Sequence, residues 1–186
     1  MIVIGIDQAD RSGWGIAHGR HVIEHGVAWT HEMRLAVLER ARELNGGTLR
    51  GVLVMFEDHA GMPLSRLTSF DRTTERQHGR PGAPERTTGS ILGQGANKGR
   101  WLELLDMLGH PKALRDKVKP HVWRNKLGIS CRRTDEAKRG ACQVASAAVN
   151  ALITDHDEAE GIAITLYAAI EGAMRAELVR KARQHH

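Results

Sequence analysis

The sequence has few cysteines and no long apolar run. Cys131 and Cys142 are eleven residues apart, and neither belongs to a Cys-x-x-Cys pair, so we expect reduced thiols and no structural zinc site. Polar residues interrupt the apolar stretches well short of a membrane span, and the start, MIVIGIDQADR, lacks the basic leader of a signal peptide. We therefore expect a cytoplasmic protein that makes no contact with a membrane.

Several catalytic motifs are also missing. The segment GQGANKG at 93–99 has no Lys-Ser or Lys-Thr and no clear preceding strand, so it supports neither a P-loop nor a dinucleotide fingerprint, and we expect no nucleotide cofactor. His31-Glu32 is not followed by a second histidine at the spacing of a zinc protease, and no Gly-x-Ser-x-Gly elbow occurs. These absences argue against nucleotide-dependent enzymes, zinc proteases and serine hydrolases.

The composition is that of a globular protein with a basic surface. The 186 residues suit one domain, with hydrophobic residues at 41% and charged residues at 26%. Lys and Arg number 27 against 22 Asp and Glu, which gives a formal charge of +5, and the isoelectric point is about 9.6. This balance favours binding to a polyanion.

The first third of the chain predicts a small sheet with one crossover helix. The apolar run at 2–6 is typical of a buried strand, and two more strand-like runs, at 14–17 and 21–29, predict an antiparallel meander. Helical spacing from Thr30, a predicted N-cap, to Leu44 indicates an amphipathic helix that ends at Asn-Gly-Gly. The apolar run at 51–56 then predicts a parallel strand beside the first.

The rest of the chain predicts mostly helices. Residues 70–90 are rich in Arg, Thr, Gly and Pro and nearly devoid of apolar groups, which predicts a mobile basic loop. Helices are predicted at 91–108, at 134–153 and from 157 toward 180, and a short edge strand at 118–123, where a proline occurs. The predicted fold is α/β, a mixed sheet flanked by helices on both faces.

Four acidic residues fall at the ends of predicted elements. Asp7 ends the first strand, Glu57 ends the fourth, and Asp157 and Glu160 open the last helix, where they lie about 60° apart on one face. Four buried carboxylates would be balanced by two divalent cations, for which Mg²⁺ or Mn²⁺ are suited. Two such ions support phosphodiester hydrolysis, so a basic protein with this site is predicted to be a nuclease.

The motifs resemble a known nuclease family. GIDQADRSGWGIA, VLVMFEDH, VKPHVWRNKLGI with a lysine downstream, and HDEAEGIAIT resemble, in order and spacing, the motifs of RuvC-type Holliday junction resolvases, especially phage-like members. The resemblance spans nearly the whole chain. It implies a single ribonuclease H-like domain over 1–186 with a mixed five-stranded sheet. It also implies a homodimer that nicks four-way DNA junctions symmetrically in recombination and repair, in a bacterial cytosol or in the host's if the protein is phage-encoded.

The resemblance also implies roles for individual residues. Asp7, Glu57, Asp157 and Glu160 match the four metal ligands of two Mg²⁺ ions, and Mn²⁺ is expected to substitute. Lys138 matches a catalytic lysine, where a cation can stabilise the charge of the reacting phosphate. Glu160 stands where the family more often has aspartate, and Gly161 suits a helix that closely approaches the sheet.

Further residues are predicted to contact DNA or to transfer protons. The family's phenylalanines after the strand-end glutamate are absent, and an apolar wedge is instead expected at Met62 or Leu64. Phosphate contacts are expected from basic residues in the segments near the site, namely Arg66, Lys98, Arg100, Arg124, Lys126, Arg132, Arg133 and Arg139. His59 and His156 adjoin predicted ligands and are candidates for proton transfer.

Two alternatives stay open at this point. Another nuclease of branched DNA or of RNA can use the same acidic constellation, because unrelated substrates are served by one fold. A non-catalytic junction-binding protein is the other, since strand-end and first-turn acids also serve as turn formers and helix-dipole partners.

Overall fold

The computed structural model describes residues 1–58, 88–129 and 134–184. Within this part of the chain, five strands form one mixed sheet in the order β3-β2-β1-β4-β5. β1 pairs antiparallel with β2 and parallel with β4, as the sequence predicted. The strands are β1 (Ile2–Ile6), β2 (Ser12–His18), β3 (His21–Ala28), β4 (Leu53–Glu57) and β5 (Arg115–Val118).

Helices flank the sheet on both faces. They are α1 (His31–Leu44), α2 (Thr88–Met107), α3 (Pro120–Lys126), α4 (Thr134–Val149) and α5 (His156–Gln184). Buried residues of α4 and α5 form one core with one face of the sheet, whereas α1 and α2 form the other core with the opposite face. This is the predicted α/β architecture of a mixed five-stranded sheet flanked by helices.

Helix α1 forms as its sequence predicts. The hydroxyl of Thr30 accepts a hydrogen bond from the backbone N–H of Met33 at 3.2 Å, which caps the helix. Asn45 ends the helix by donating its backbone N–H to Ala41. Gly46 then takes φ = +72°, a conformation that glycine adopts without strain. The helix therefore crosses over and returns the chain to the sheet beside β1.

The predicted strand at 118–123 is wrong in its position. β5 ends at Val118, and α3 starts at Pro120, because proline has the right φ for a first helical position and needs no partner for a backbone N–H. The strand itself, Arg115–Val118, is polar and lies at the edge of the sheet. Pro120 nevertheless indicated an edge strand, and the fifth strand does lie at an edge of the sheet.

Helix α5 packs directly on the backbone of β1 and β2 at glycines. A Cβ atom added to Gly13 would overlap the carbonyl oxygen of Asp157, and one added to Gly161 would overlap the backbone of Trp14. The hydroxyl of Thr165 accepts a hydrogen bond from the backbone N–H of Gly5 at 3.1 Å. The close approach that Gly161 suggested is therefore present, and it brings the first turns of α5 to the ends of the strands.

Some predictions fall partly outside this description. Residues 70–87 of the predicted basic loop lie outside the described residues, and 88–90 already belong to α2. The single domain predicted over 1–186 stays a prediction. Within the described ranges, no helix has the length and apolar character needed to cross a membrane.

Candidate active site

Two buried carboxylates lie at the same edge of the sheet. β1 and β4 are parallel, with Ile6 beside Phe56, so the next residues, Asp7 and Glu57, follow at the carboxyl ends of neighbouring strands. Their exposed fractions are only 3% and 1%. Burial of two acidic side chains is costly unless hydrogen bonds or positive charge stabilise them.

Glu160 of α5 joins these two residues. One carboxylate oxygen from each of Asp7, Glu57 and Glu160 lies within 4.8 Å of the other two. The three side chains come from two strands and one helix, and all three offer hard oxygen ligands, the donors that Mg²⁺ and Mn²⁺ prefer. The cluster therefore fits a divalent cation, and the structure brings together three of the four predicted ligands.

Two side chains hold Glu57 in place. The indole N–H of Trp123, on α3, donates a hydrogen bond to Oε1 of Glu57 at 2.9 Å. The side-chain amide of Gln8 donates to the backbone carbonyl of Glu57, and Gln8 is itself buried. Hydrogen bonds of this kind fix the orientation of a carboxylate, so Trp123 and Gln8 restrict the position of Glu57.

Arg124 pairs with one carboxylate of the cluster. Its Nη2 donates to Oε1 of Glu160 at 2.7 Å, and its guanidinium lies 4.9 Å from the ring centroid of Trp123. Burial, and next the negative charge of Glu57, raise the pKa of Glu160, while Arg124 acts in the opposite direction. The predicted phosphate-binding residue thus contacts a predicted metal ligand.

Asp157 is not part of the three-carboxylate group. Its Oδ2 lies 3.7 Å from Nη1 of Arg11. Burial, and next the charge of Asp155, raise the pKa of Asp157. The folded state therefore favours the protonated form of Asp157. The stability that this preference contributes is present at low pH and is lost as pH rises through the raised pKa. Its role as a fourth ligand stays a prediction.

Lys138 lies near the acidic residues. It is exposed on α4, and its positive charge lowers the pKa values of both Glu160 and Asp157, against the stronger effect of burial on each. A cation in this position acts on the same side chains that the sequence assigned to catalysis. Its catalytic role stays a prediction.

The other predicted DNA contacts are spread over several elements. Nζ of Lys98 lies 4.0 Å from Oδ1 of Asp58, and burial followed by the charge of Lys117 lowers the pKa of Lys98. Lys126 pairs with Glu171 at 3.3 Å. Among the remaining predicted contacts, two have side chains that hydrogen-bond within their own helices, namely Arg100 and Arg139.

Several predicted residues lie outside the described part of the chain. They are His59, Met62, Leu64, Arg66, Arg132 and Arg133. His156 is described; it is exposed, and its Nδ1 lies 3.3 Å from Sγ of Cys142. The roles predicted for all of these residues stay predictions.

Sequence reasoning missed three residues of the site. Trp123 and Gln8 contact Glu57, and Arg11 donates to Oδ2 of Asp155 at 2.7 Å. Gln8 and Arg11 lie in the polar segment that follows Asp7, and Trp123 immediately precedes Arg124. Their proximity in sequence to predicted site residues was the available signal.

Comparisons with known proteins identify the fold. No protein-family model matches the sequence, and no curated protein matches it. Among solved structures, the chain is similar to Thermus thermophilus RuvC in complex with a Holliday junction substrate, at 16% identity and a TM-score of 0.61, over 94% of this chain and 96% of that one. It is also similar to a second T. thermophilus RuvC structure, at 17% identity and a TM-score of 0.57, with the same coverage. The chain therefore has the ribonuclease H-like fold of RuvC, as the motif resemblance implied.

Proposed function

We propose that this chain is a divalent-metal-dependent endonuclease that resolves four-way DNA junctions by symmetric nicking. The observation that carries the proposal is the convergence of Asp7, Glu57 and Glu160, whose carboxylate oxygens lie within 4.8 Å of one another at the edge of a RuvC-like sheet. Acidic residues at the ends of buried strands gain nothing from close approach unless a cation binds them.

The chain supplies the ligands and the charges around them. We propose that Asp7, Glu57, Asp157 and Glu160 hold two Mg²⁺ ions, which Mn²⁺ can replace. When bound, such ions activate a water and stabilise the leaving oxygen of a phosphodiester. Asp7 and Glu57 provide oxygens at fixed positions because both are buried, and the cation of Lys138 stabilises the negative charge of the reacting phosphate.

The substrate is proposed to be branched DNA. One structural neighbour, T. thermophilus RuvC, is in complex with a Holliday junction substrate, and the net charge of +5 in this chain favours binding to a polyanion. A homodimer belongs to the proposal because two symmetric cuts in a two-fold junction require two sites at a fixed separation. We place the activity in DNA recombination and repair, in the cytoplasm.

Two other functions are outcomes of the test. A related nuclease would prefer another branched DNA or an RNA, and a non-catalytic junction-binding protein would bind without cutting. The acidic cluster favours catalysis over the latter because three carboxylate side chains lie within 4.8 Å of one another, although one of them, Glu160, has a guanidinium partner at 2.7 Å. Negative charge of this density opposes DNA binding unless cations screen it.

The test compares cleavage with binding. A synthetic four-way junction and a linear duplex are incubated with the protein, with and without Mg²⁺, and binding is measured separately in EDTA. Asp7→Asn should lower junction nicking by about 100-fold or more, as the loss of one preorganised catalytic group does, while junction affinity stays close to that of the parent. The matched control is Glu43→Gln, an exposed acid in the last turn of α1, which leads toward the opposite end of the sheet.

Each outcome decides between the candidates. Junction cleavage that needs Mg²⁺ and Asp7 supports the proposal. Preference for a different branched DNA or an RNA selects the related nuclease. If Asp7→Asn cuts as fast as the parent, or if the parent binds junctions and never cuts them, the catalytic proposal is lost.

A further inference from the structure

A pocket lies next to the candidate active site, and the mechanism above does not use it. Its volume is about 610 Å³, and it is lined by Asp10, Arg11, Trp29, Asn97 and Arg100. These residues come from the turn after β1, the end of β3 and the helix α2. We propose that the pocket binds one unstacked nucleotide of a DNA strand, with its base on Trp29 and its phosphate at Arg100; this rests on the proposed function.

Two arginines and one acidic residue line the pocket, and a third arginine, Arg34, contacts the lining residue Asn97. Arg34 of α1 is 1% exposed, and its Nη2 donates to Oδ1 of Asn97 at 3.4 Å. Nη1 of Arg100 donates to the same oxygen at 3.2 Å. Two guanidinium groups therefore converge on one neutral amide oxygen. The carboxylate near them is that of Asp10, which accepts from Nδ2 of Asn97 at 2.6 Å.

The guanidinium groups of Arg34 and Arg100 repel each other where they share Oδ1 of Asn97. Nε of Arg34 is buried and has no hydrogen-bond partner among the described residues. Burial, and next the charge of Arg100, lower the pKa of Arg34, whereas the charge of Asp10 acts in the opposite direction. A phosphate beside Arg100 would offset the repulsion between the two guanidinium groups, with hydrogen bonds to charged donors.

The aromatic side of the pocket suits a base. Trp29 is 54% exposed although it is large and apolar, and it follows β3 directly. The guanidinium of Arg11 lies 6.0 Å from its ring centroid. Exposed aromatic rings next to basic side chains bind unpaired bases by stacking, whatever the base. The volume also falls within the range of about 300–1,000 Å³ for small-ligand sites.

Arg11 connects the pocket with the acidic residues. It donates to Asp155 at 2.7 Å and lies 3.7 Å from Asp157. A DNA strand bound along Arg11 would therefore run from Trp29 toward Asp157, one of the proposed metal ligands. Bases inside a duplex are stacked on their neighbours and offer no free face, so the occupant is a nucleotide that has left the stack, as occurs where strands separate in branched DNA.

The experiment measures binding of short single strands in EDTA, where no cleavage occurs. The probes are a fluorescein-labelled thymidine oligonucleotide and an abasic oligonucleotide of equal length, and the readout is fluorescence anisotropy. Trp29→Ala should weaken binding of the thymidine oligonucleotide by about tenfold, the usual size of one stacking contact. The same variant should leave the abasic probe unaffected, and Trp29→Phe should retain most of the affinity.

Charge is tested with a matched pair of arginines. Arg100→Ala should weaken both probes, because both carry phosphates. Arg20→Ala removes an exposed arginine in the turn between β2 and β3, at the opposite end of the sheet, and should leave both affinities unchanged. Trp29 and Arg100 are exposed, so these variants are expected to fold, and unchanged thermal melting confirms it.

Three results would overturn the inference. The first is that Trp29→Ala loses affinity for both probes equally. The second is that Arg100→Ala and Arg20→Ala change the affinities equally. The third is that the parent cleaves junctions but binds the thymidine probe no more tightly than the abasic one. The proposed function fails differently, since a protein that never cuts junctions can still show the selective loss in Trp29→Ala. The two assays therefore separate the two claims.

Discussion

Replacement of Trp123 by phenylalanine tests whether Glu57 is positioned for metal binding. Trp123 is fully buried, and its indole N–H donates to Oε1 of Glu57 at 2.9 Å. Phenylalanine retains most of the ring and loses the donor. A hydrogen bond to a charged group contributes about 1.5–3 kcal/mol, so the ionised and correctly oriented carboxylate should be disfavoured by about 10- to 150-fold.

This loss should appear in the metal dependence of cleavage. Partners that orient metal ligands typically contribute about 10- to 100-fold to metal affinity or activity. The Mg²⁺ concentration that gives half-maximal junction cleavage should therefore rise by about that factor in Trp123→Phe. Junction affinity in EDTA should stay unchanged, because Trp123 is buried and cannot contact DNA.

The chain offers a matched control for this variant. Trp101 is also fully buried, and its indole N–H donates at 3.1 Å to the hydroxyl of Ser12, a neutral acceptor. Trp101→Phe loses a similar volume on the other face of the sheet and a hydrogen bond of about 0.5–1.5 kcal/mol. Both variants should lose stability, and only Trp123→Phe should need more Mg²⁺. The same Mg²⁺ requirement in both would refute the positioning role.

Two further predictions concern α5. In EDTA, Asp157→Asn should melt at a higher temperature than the parent at neutral pH and at the same temperature at acid pH. The reason is that it removes a carboxyl whose pKa is raised by burial. A difference in melting temperature that does not depend on pH would contradict this. Gly161→Ala should lose about 1–3 kcal/mol in chemical denaturation because its Cβ overlaps the backbone of Trp14. The control is Gly99→Ala, at a helical position where no atom lies within 4 Å of the added Cβ; its free energy of unfolding should rise by about 1 kcal/mol. If both variants changed the free energy of unfolding in the same direction, the overlap at Gly161 would not be the cause.

The strand-end carboxylates were predictable because their position depends on topology alone. An apolar run without alternation, a crossover helix and a second such run specify two parallel neighbours. Their carboxyl ends necessarily meet at one edge, so Asp7 and Glu57 had to be close once β1 and β4 paired. This inference requires no knowledge of side-chain conformation.

The position of Asp157 was harder to predict. Helical geometry places Asp157 and Glu160 on one face, yet it does not give the tilt or the height of α5 against the sheet. Those are determined by contacts at glycines, where the helix backbone touches β2 near Trp14 and at Gly13. Glu160 consequently joins the cluster, and Asp157 lies nearer to Arg11.

The bounds of the fifth strand and the existence of the pocket were not predictable for a different reason. Three of the four residues of β5 are charged, and the strand lies at the edge of the sheet, so it has no apolar run to reveal it. The contact between Arg34 and Asn97 joins residues 63 positions apart, on two helices. Long-range polar contacts of this kind have no local pattern in a sequence.

Packing, rather than any attraction between the acids, brings the three carboxylates together. Like charges repel: burial is the largest cause of the raised pKa of Glu160, and the negative charge of Glu57 is the next. The opposing force comes from α5, which is in contact with glycine backbone of β1 and β2 over several turns. Asp155 adds a second attachment, since Oδ1 accepts the backbone N–H groups of Asp157 and Glu158 at the start of α5 while Oδ2 accepts from Arg11. The turn that follows Asp7 and the helix that carries Glu160 are thus fixed to each other, which holds the carboxylate oxygens of Asp7 and Glu160 in place.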